Sequence, residues 1–123
     1  MAKNMDVAFL FDFYGEMLTE KQRDVVELYY NNDLSLAEIA EDAGITRQGV
    51  RDSIKRAENQ LFEMEERLGL AKRFIEMQEQ MSLIVNEAQE IREYNIRLSF
   101  SREIDERAAH IETIARNLLE ENN

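Results

Sequence analysis

The sequence predicts an all-α protein: a helix-turn-helix domain followed by a long-helix C-terminal hairpin. The chain of 123 residues has no proline and only four glycines, and residues that favour helices are abundant. Residues 35–57, SLAEIAEDAGITRQGVRDSIKRA, have the pattern of two short capped helices joined by a glycine turn. From residue 50 onward, apolar side chains recur at alternating spacings of three and four residues.

Two helices are expected before the motif. The first covers 5–18 and the second covers 20–31, where Thr19 and Gln22 form a capping box at its start. The aromatic residues of these helices are not interleaved with Lys or Arg, so core packing is favoured over a platform for base stacking. Inward positions of the two helices are Val7, Leu10, Phe11, Tyr14, Leu18, Val25, Val26, Leu28 and Tyr29.

The helix-turn-helix pattern rests on its caps. Ser35 and Glu38 form a second capping box, which begins a helix over 36–43. Gly44 then allows the chain to turn through positive φ, and Thr46 is a favourable N-cap for the fourth helix. A generic pair of capped helices is the alternative explanation. The order of box, glycine and second cap favours a helix-turn-helix, whose second helix can enter the DNA major groove.

The fourth helix is expected to bury Val50, Ile54 and Ala57 and to present the opposite side to solvent, since each residue rotates the helix by about 100°. On that outer side, Gln48 suits adenine and Arg51 suits guanine. Phosphate contacts are expected from Arg47, Lys55 and Arg56. The predicted nucleic-acid-binding residues are therefore Arg47, Gln48, Arg51, Asp52, Lys55 and Arg56.

Two residues of this helix allow more than one interpretation. Asp52 can accept a hydrogen bond from cytosine or can orient a neighbouring arginine. Gly49 costs about 1 kcal/mol relative to alanine in a helix interior. One use of Gly49 is a close approach of the backbone to a phosphate or to a neighbouring helix.

The charge balance sets a limit on nucleic-acid binding. Residues 45–57 carry four basic side chains and one acidic side chain, a net +3, whereas the whole chain carries −11, so the remainder carries −14. A local basic surface can still bind phosphate because salt screens distant charges. One copy should nevertheless bind weakly, so dimerisation or a partner protein is expected. The acidic remainder suits a protein-docking surface, or serves only solubility.

The second half of the chain predicts three apolar seams. The fourth helix continues to Leu68 and stops at Gly69, which divides the chain into a domain over 1–68 and a packing or dimerisation hairpin over 69–123. The hairpin helices are expected over 71–98 and 102–120. The seams are Val50, Ile54, Ala57, Leu61, Met64 and Leu68; Phe74, Met77, Met81, Ile84, Ala88, Ile91, Asn95 and Leu98; and Ile104, Ala108, Ile111, Ala115 and Leu118.

Details of the hairpin lead to further expectations. Ser101 should cap the last helix, and residues 120–123 should form a mobile tail. Asn95 would fix the register if it is buried; otherwise it marks a fraying helix end. Two helices cannot bury their seams alone, so they should pack on the fourth helix and on a second copy, giving a homodimer.

Several classes of function are not expected. The single His110 has no cysteine nearby, so no metal site is predicted, and no glycine-rich phosphate loop is present. We therefore expect no enzyme, no catalytic residues, no cofactor and no small-molecule substrate. No apolar run approaches the length of a membrane span, and no leader or cysteine is present, which favours a cytoplasmic protein.

Residues 18–61 resemble region 4 of bacterial sigma factors, which reads the −35 promoter element; the match lies in Leu18–Leu28, Ser35–Ala40, Val50–Arg51, Arg56–Ala57 and Leu61. The whole chain is more similar to the YlxM-type helix-turn-helix proteins of Gram-positive bacteria, through its aromatic first helix, ITRQGVRDSIKRAE and acidic helical tail. Proteins of that type are typically encoded beside the signal recognition particle GTPase. The resemblance therefore implies an accessory role with signal recognition particle components, besides regulatory DNA binding. The chain lacks the other sigma regions.

Overall fold

The computed structural model describes residues 3–121, and all regular structure in that range is helical. This confirms the all-α, helix-turn-helix fold class. The chain forms two compact units, an N-terminal unit ending at Lys72 and a C-terminal unit beginning at Arg73. The helices are α1 (Met5–Tyr14), α2 (Glu20–Val26), α3 (Leu36–Ala43), α4 (Arg47–Leu68), α5 (Leu70–Leu98) and α6 (Arg102–Glu121).

The first helix is shorter than the expected range of 5–18. It ends at Tyr14 and is followed by a tighter turn over Gly15–Met17. A Cβ added at Gly15 would lie 2.9 Å from the ring of Phe11, so the absence of a side chain lets the ring pack against the turn. The prediction of one continuous helix was wrong here because the apolar spacing continues through a turn that is no longer α-helical.

The second helix begins at the predicted capping box. Thr19 accepts from the backbone N–H of Gln22, and the Gln22 side chain accepts from the N–H of Thr19, both at 3.2 Å. After Val26 the helix widens into a π-helical turn over Glu27–Asn31, and Asp33 then takes a φ of 57°. The chain thus reverses direction before α3 begins.

Helix α4 is the centre of the N-terminal unit, because α1, α2 and α3 all pack against it. One cluster joins α1 to the middle of α4, and a second joins α2 and α3 to its first half. The buried members of these clusters are Val7, Leu10, Phe11, Tyr14, Leu18, Val26, Ala57, Leu61 and Ala71, and Val25, Tyr29, Ile39, Ala40, Val50 and Ile54. The predicted core positions of the first two helices and of α4 are therefore largely confirmed, although Leu28 is only partly buried.

A partly buried carboxylate, that of Glu65, joins the end of α4 to the start of α5. Gly69 ends α4 in the left-handed conformation with a φ of 63°, as its position predicted. The Glu65 carboxylate accepts from the Tyr14 hydroxyl at 2.6 Å and from the backbone N–H groups of Ala71 and Lys72 at 3.0 Å. Glu65 thereby satisfies two of the free N–H groups at the start of α5.

The C-terminal unit is a hairpin in which the predicted seams are only half right. Met81, Ala88, Ala108 and Ala115 are buried as expected, and Val85 joins them. The alternate members of the two seams are exposed: Met77, Ile84, Ile91, Leu98, Ile104, Ile111 and Leu118. Two helices that pack as a pair bury only one narrow stripe of side chains on each helix. The remaining apolar stripe therefore stays at the surface.

The turn between α5 and α6 is held by Asn95, which is 7% exposed. Its side-chain amide donates to the Ser101 carbonyl at 2.8 Å and accepts from the Ser101 N–H at 3.0 Å. Arg92 also pairs with Asp105 at 3.0 Å across the hairpin. Asn95 therefore fixes the register of the hairpin rather than marking a frayed end, and Ser101 caps α6 as predicted.

The expected tail over 120–123 is partly wrong, because α6 continues through Glu121. Helix-favouring Leu118–Glu121 has no breaker that would stop it earlier. The last two residues of that expected tail lie outside the described residues.

Candidate nucleic-acid interface

The α3–turn–α4 segment has the predicted geometry at each of its joints. The Ser35 hydroxyl accepts from the N–H of Glu38 at 3.1 Å, which begins α3. Gly44 adopts a φ of 68° at the end of α3, and the Thr46 hydroxyl accepts from the N–H of Gly49 at 2.9 Å to begin α4. The turn between the two helices is thus fixed by local hydrogen bonds and by one left-handed glycine.

The outer face of α4 is set by what the helix buries. Val50, Ile54 and Ala57 are each 0% exposed and anchor one side of the helix in the core. Each residue rotates the helix by about 100°, so residues on the opposite side of the helix point away from this core. All six predicted binding residues lie at the surface, namely Arg47, Gln48, Arg51, Asp52, Lys55 and Arg56. We call these six residues the α4 face.

The four cations of the α4 face have no carboxylate partner among the residues that the structure describes. Within residues 3–121, Arg47, Arg51, Lys55 and Arg56 make no ion pair within 4 Å, although other arginines of the chain do. Their charges are thus not neutralised by neighbouring carboxylates. Such side chains can contact phosphate without first breaking an internal ion pair.

The two remaining residues of the α4 face are joined to each other. The Gln48 amide nitrogen donates to the Asp52 carboxylate at 2.9 Å. Asp52 therefore positions Gln48, a partner that neither of its two sequence-based interpretations included. This hydrogen bond uses one N–H of the Gln48 amide, so the carbonyl oxygen and the second N–H take no part in it.

Gly49 lies within α4, in the first turn after the N-cap that the sequence predicted at Thr46. A Cβ added there would lie 3.2 Å from the Thr46 hydroxyl oxygen and 3.7 Å from the Ile45 side chain. These nearest atoms belong to the preceding turn and not to another helix. Gly49 thus leaves space for the Thr46 cap, and the helix after it is intact to Leu68.

A surface groove of about 500 Å³ adjoins the α4 face. It is formed where the start of α2 meets the first turns of α4, and it brings Lys21 and Gln22 near Ser53 and Arg56. The sequence analysis did not include Lys21 and Gln22 among the candidate residues. The capping box at Thr19 located the start of α2, but only the packing of α2 on α4 shows that this start lies beside the basic residues.

Other kinds of site find no support in the part of the chain that the structure describes. Residues 3–121 contain no group of three or more His, Asp or Glu side chains that could hold a metal ion. His110 lies exposed on α6. No helix within the described range is long and apolar enough to cross a membrane.

Comparison with known proteins identifies the family. Residues 1–100 match the UPF0122 family, described as "Putative helix-turn-helix protein, YlxM / p13 like". The chain belongs to the UPF0122 family. The matched range includes α1 to α5 and therefore contains the α4 face of this UPF0122 protein.

UPF0122 proteins of other bacteria are similar over much of their length. A relative from Thermoanaerobacter is 44% identical over 108 residues, which cover 88% of this chain and 92% of the relative. A relative from Acetivibrio thermocellus is 45% identical over 91 residues, 74% of this chain and 78% of the relative. One from Bacillus cereus is 50% identical over 78 residues, 63% of this chain and 71% of the relative.

Proposed function

We propose that this protein is a regulatory DNA-binding protein whose α4 face enters the major groove. The observation that carries the proposal is the complete burial of Val50, Ile54 and Ala57. Their burial leaves Arg51 and Lys55 exposed on the outer side of α4 and Arg47 and Arg56 exposed on its flanks. A capped helix held in this way can be inserted into a groove without rearrangement of the core. This function is binding rather than catalysis.

Roles within the α4 face follow from side-chain chemistry. Gln48, held by Asp52, and Arg51 are assigned to base edges, where they suit adenine and guanine. The remaining cations are assigned to phosphates, together with Lys21 from the adjoining groove. The phosphate-contacting set is thus Lys21, Arg47, Lys55 and Arg56.

The two parts of the chain have separate tasks in this proposal. Residues 1–68 form the helix-turn-helix domain, similar to sigma factor region 4, that contacts the nucleic acid. Residues 69–123 form the packing hairpin that joins two copies into a homodimer. Because the whole chain carries a net charge of −11, one copy should bind weakly, and two linked copies should bind much more tightly.

The test is duplex binding measured by fluorescence anisotropy over a series of salt concentrations. Arg51→Ala combined with Lys55→Ala should weaken binding, and the loss of the Lys55 phosphate contact should reduce the slope of log K against log salt by about 0.9. The matched control is Arg67→Ala with Arg97→Ala. These two exposed arginines pair with glutamates four residues earlier and lie outside the α4 face.

The control pair removes the same amount of charge from the protein. It should leave the salt slope unchanged because neither arginine is assigned a phosphate contact. Equal binding by the Arg51/Lys55 variant and the unmodified protein would refute the proposal. Selection from a random duplex pool then tests the base-reading roles, because Gln48→Ala should relax the preference at one position.

A second candidate function is an adaptor of the signal recognition particle, as the resemblance to YlxM-type proteins implies. The observation in its favour is the acidic surface of α3, where Glu38, Glu41 and Asp42 are exposed. In helix-turn-helix complexes the first helix crosses the DNA backbone, so carboxylates there would face phosphates and weaken binding. They would instead suit a basic protein surface.

The two functions can be separated with purified components. Glu41→Lys with Asp42→Lys should abolish capture of the purified particle by the intact protein if the adaptor function is right. If the DNA-binding function is right, the same variant should bind duplex DNA more tightly, because it adds positive charge beside the α4 face. Capture that is unaffected by the variant would contradict the adaptor function.

A further inference from the structure

The hairpin of α5 and α6 leaves one apolar side uncovered. On α5, Met77, Ile84 and Ile91 recur every seventh residue beside the buried line of Met81 and Ala88. At about 3.5 residues per turn, the exposed line lies roughly 50° around the helix from the buried line. Leu98 continues the exposed line at the end of the helix.

The corresponding line on α6 lies on the same side of the hairpin. Ile104 and Ile111 precede the buried Ala108 and Ala115 by four residues each, the same offset that Met77 and Ile84 have from Met81 and Ala88. In two antiparallel helices that face each other, equal offsets rotate toward the same side of the pair. The hairpin face is therefore one continuous surface formed by Met77, Ile84, Ile91, Leu98, Ile104 and Ile111.

The exposure of this face is high. Its six side chains are between 45% and 80% exposed. The opposite side of the hairpin is polar along its middle, with Ser82, Gln89, Arg102 and Arg116. Its exposed isoleucines, Ile75 and Ile96, lie 21 residues apart near the two ends of α5 and form no continuous surface. A contiguous apolar surface of this kind marks an interaction site, whereas scattered apolar residues do not.

We propose that the hairpin face binds the hairpin face of a second copy, so that two chains form an antiparallel four-helix bundle. A half-exposed aliphatic side chain presents on the order of 50–100 Å² of apolar surface. Six of them with their flanking residues therefore approach the roughly 800 Å² that each partner buries in a stable interface. This proposal gives the homodimer named above a surface and a geometry, and it does not depend on nucleic-acid binding.

The alignment of α5 with α6 shows how the hairpin face of a second copy would fit against this one. Within one chain, Arg92 lies level with Asp105, which fixes which residues of α5 and α6 are at equal height. In the bundle that keeps all neighbouring helices antiparallel, α5 of one copy lies against α6 of the other at these same heights. Ile84 then lies within about 3 Å of the height of Ile111 of the second copy, and Ile91 has the same offset from Ile104 of the second copy.

In the same alignment, oppositely charged side chains at the edges of the two hairpin faces come close to each other. On this alignment, Glu87 on the α5 edge lies three residues, about 4.5 Å, from the height of Arg107 of the second copy, a distance that two long side chains can span. Arg73 has the same offset from Glu121 of the second copy. All four side chains are exposed in the single chain. The edges are thus oppositely charged where two copies meet. A membrane surface would instead favour a uniformly basic edge.

The test is the oligomeric state of the full chain without nucleic acid, measured by sedimentation velocity over a concentration series. The unmodified protein should be a dimer. Ile84→Glu places a charge in the centre of the face and should raise the dissociation constant by about 100-fold or more. Ile96→Glu is the matched control on the opposite side and should remain dimeric. Far-UV circular dichroism checks that both variants are folded.

A charge exchange tests the geometry even if Ile84→Glu fails to fold. Glu87→Arg alone and Arg107→Glu alone should each weaken the dimer by about 5- to 10-fold, because each places like charges opposite each other at two symmetric positions. The double variant should restore the affinity. A monomeric unmodified protein, equal effects of Ile84→Glu and Ile96→Glu, or no restoration in the double variant would overturn the proposal.

Discussion

The carboxylate of Glu65 offers the sharpest test of how the N-terminal unit is held together. It accepts the Tyr14 hydroxyl at 2.6 Å and two backbone N–H groups of α5 at 3.0 Å. Tyr14 and Ala71 are only 1% and 2% exposed, so water cannot readily replace the acceptor. Glu65→Ala therefore removes a cap and leaves a buried hydroxyl without its acceptor.

The expected cost can be built from these contacts. Loss of a helix cap costs about 1 kcal/mol, and leaving a buried donor without its partner costs about 1–3 kcal/mol. We therefore expect Glu65→Ala to lower the free energy of unfolding at neutral pH by about 2–4 kcal/mol, measured by urea unfolding. Glu66→Ala is the control, since Glu66 is the exposed neighbour in the same helix turn.

The pH dependence gives an independent check. Burial acts to raise the pKa of Glu65, but hydrogen bonds from Tyr14, Ala71 and Lys72 outweigh burial and hold the pKa below its usual value. The stabilisation is therefore fully present above the ordinary glutamate pKa of about 4.3 and is lost as the pH falls through the lowered pKa. The difference between Glu65→Ala and the unmodified protein should shrink over that acidic range. A cost below about 1 kcal/mol at neutral pH, or one that does not depend on pH, would refute this account.

Three further outcomes are expected. Ile54→Ala removes a side chain that is 0% exposed and should lower the free energy of unfolding by about 2–5 kcal/mol in urea titrations. Gly44→Ala meets no atom within 4 Å but must adopt a φ of +68°, so it should cost about 1 kcal/mol in the same assay through backbone strain alone. Burial and the hydrogen bond to Glu58 raise the pKa of Tyr30, so its stabilisation is present below the ordinary tyrosine pKa of about 10 and is lost as the pH rises beyond it. Phenolate absorbance should accordingly show a late ionisation that is smaller in Tyr30→Phe, in which Tyr14 remains, a second tyrosine whose pKa is raised by burial and by its hydrogen bond to Glu65.

Local signals in the sequence were sufficient for most of the N-terminal unit. Capping boxes at Thr19 and Ser35, and the stops at Gly44 and Gly69, depend on residues within one helical turn of each other, so the sequence alone locates them. The burial of Val50 and Ile54 also follows from local periodicity. The exposure of the α4 face was predictable for the same reason, whereas its binding role stays a prediction.

Features that depend on distant contacts were not predictable in this way. Periodicity in the hairpin places Met81 and Ile84 on one broad apolar side, but it does not say which narrow stripe faces the other helix. The neighbourhood of Lys21 and Arg56 arises from the packing of α2 on α4. The Glu65–Tyr14 contact joins residues 51 positions apart, for which no local pattern exists.

Helix α4 has 22 residues and therefore extends for about 33 Å as one rod. Its first turns carry the proposed DNA-reading side chains, and its later turns carry the core on which α1 rests. A ligand held at the start of this rod consequently restrains the whole unit and not just a surface loop. Occupancy of the α4 face should therefore slow hydrogen exchange as far along the rod as Leu61, where the backbone never touches the ligand.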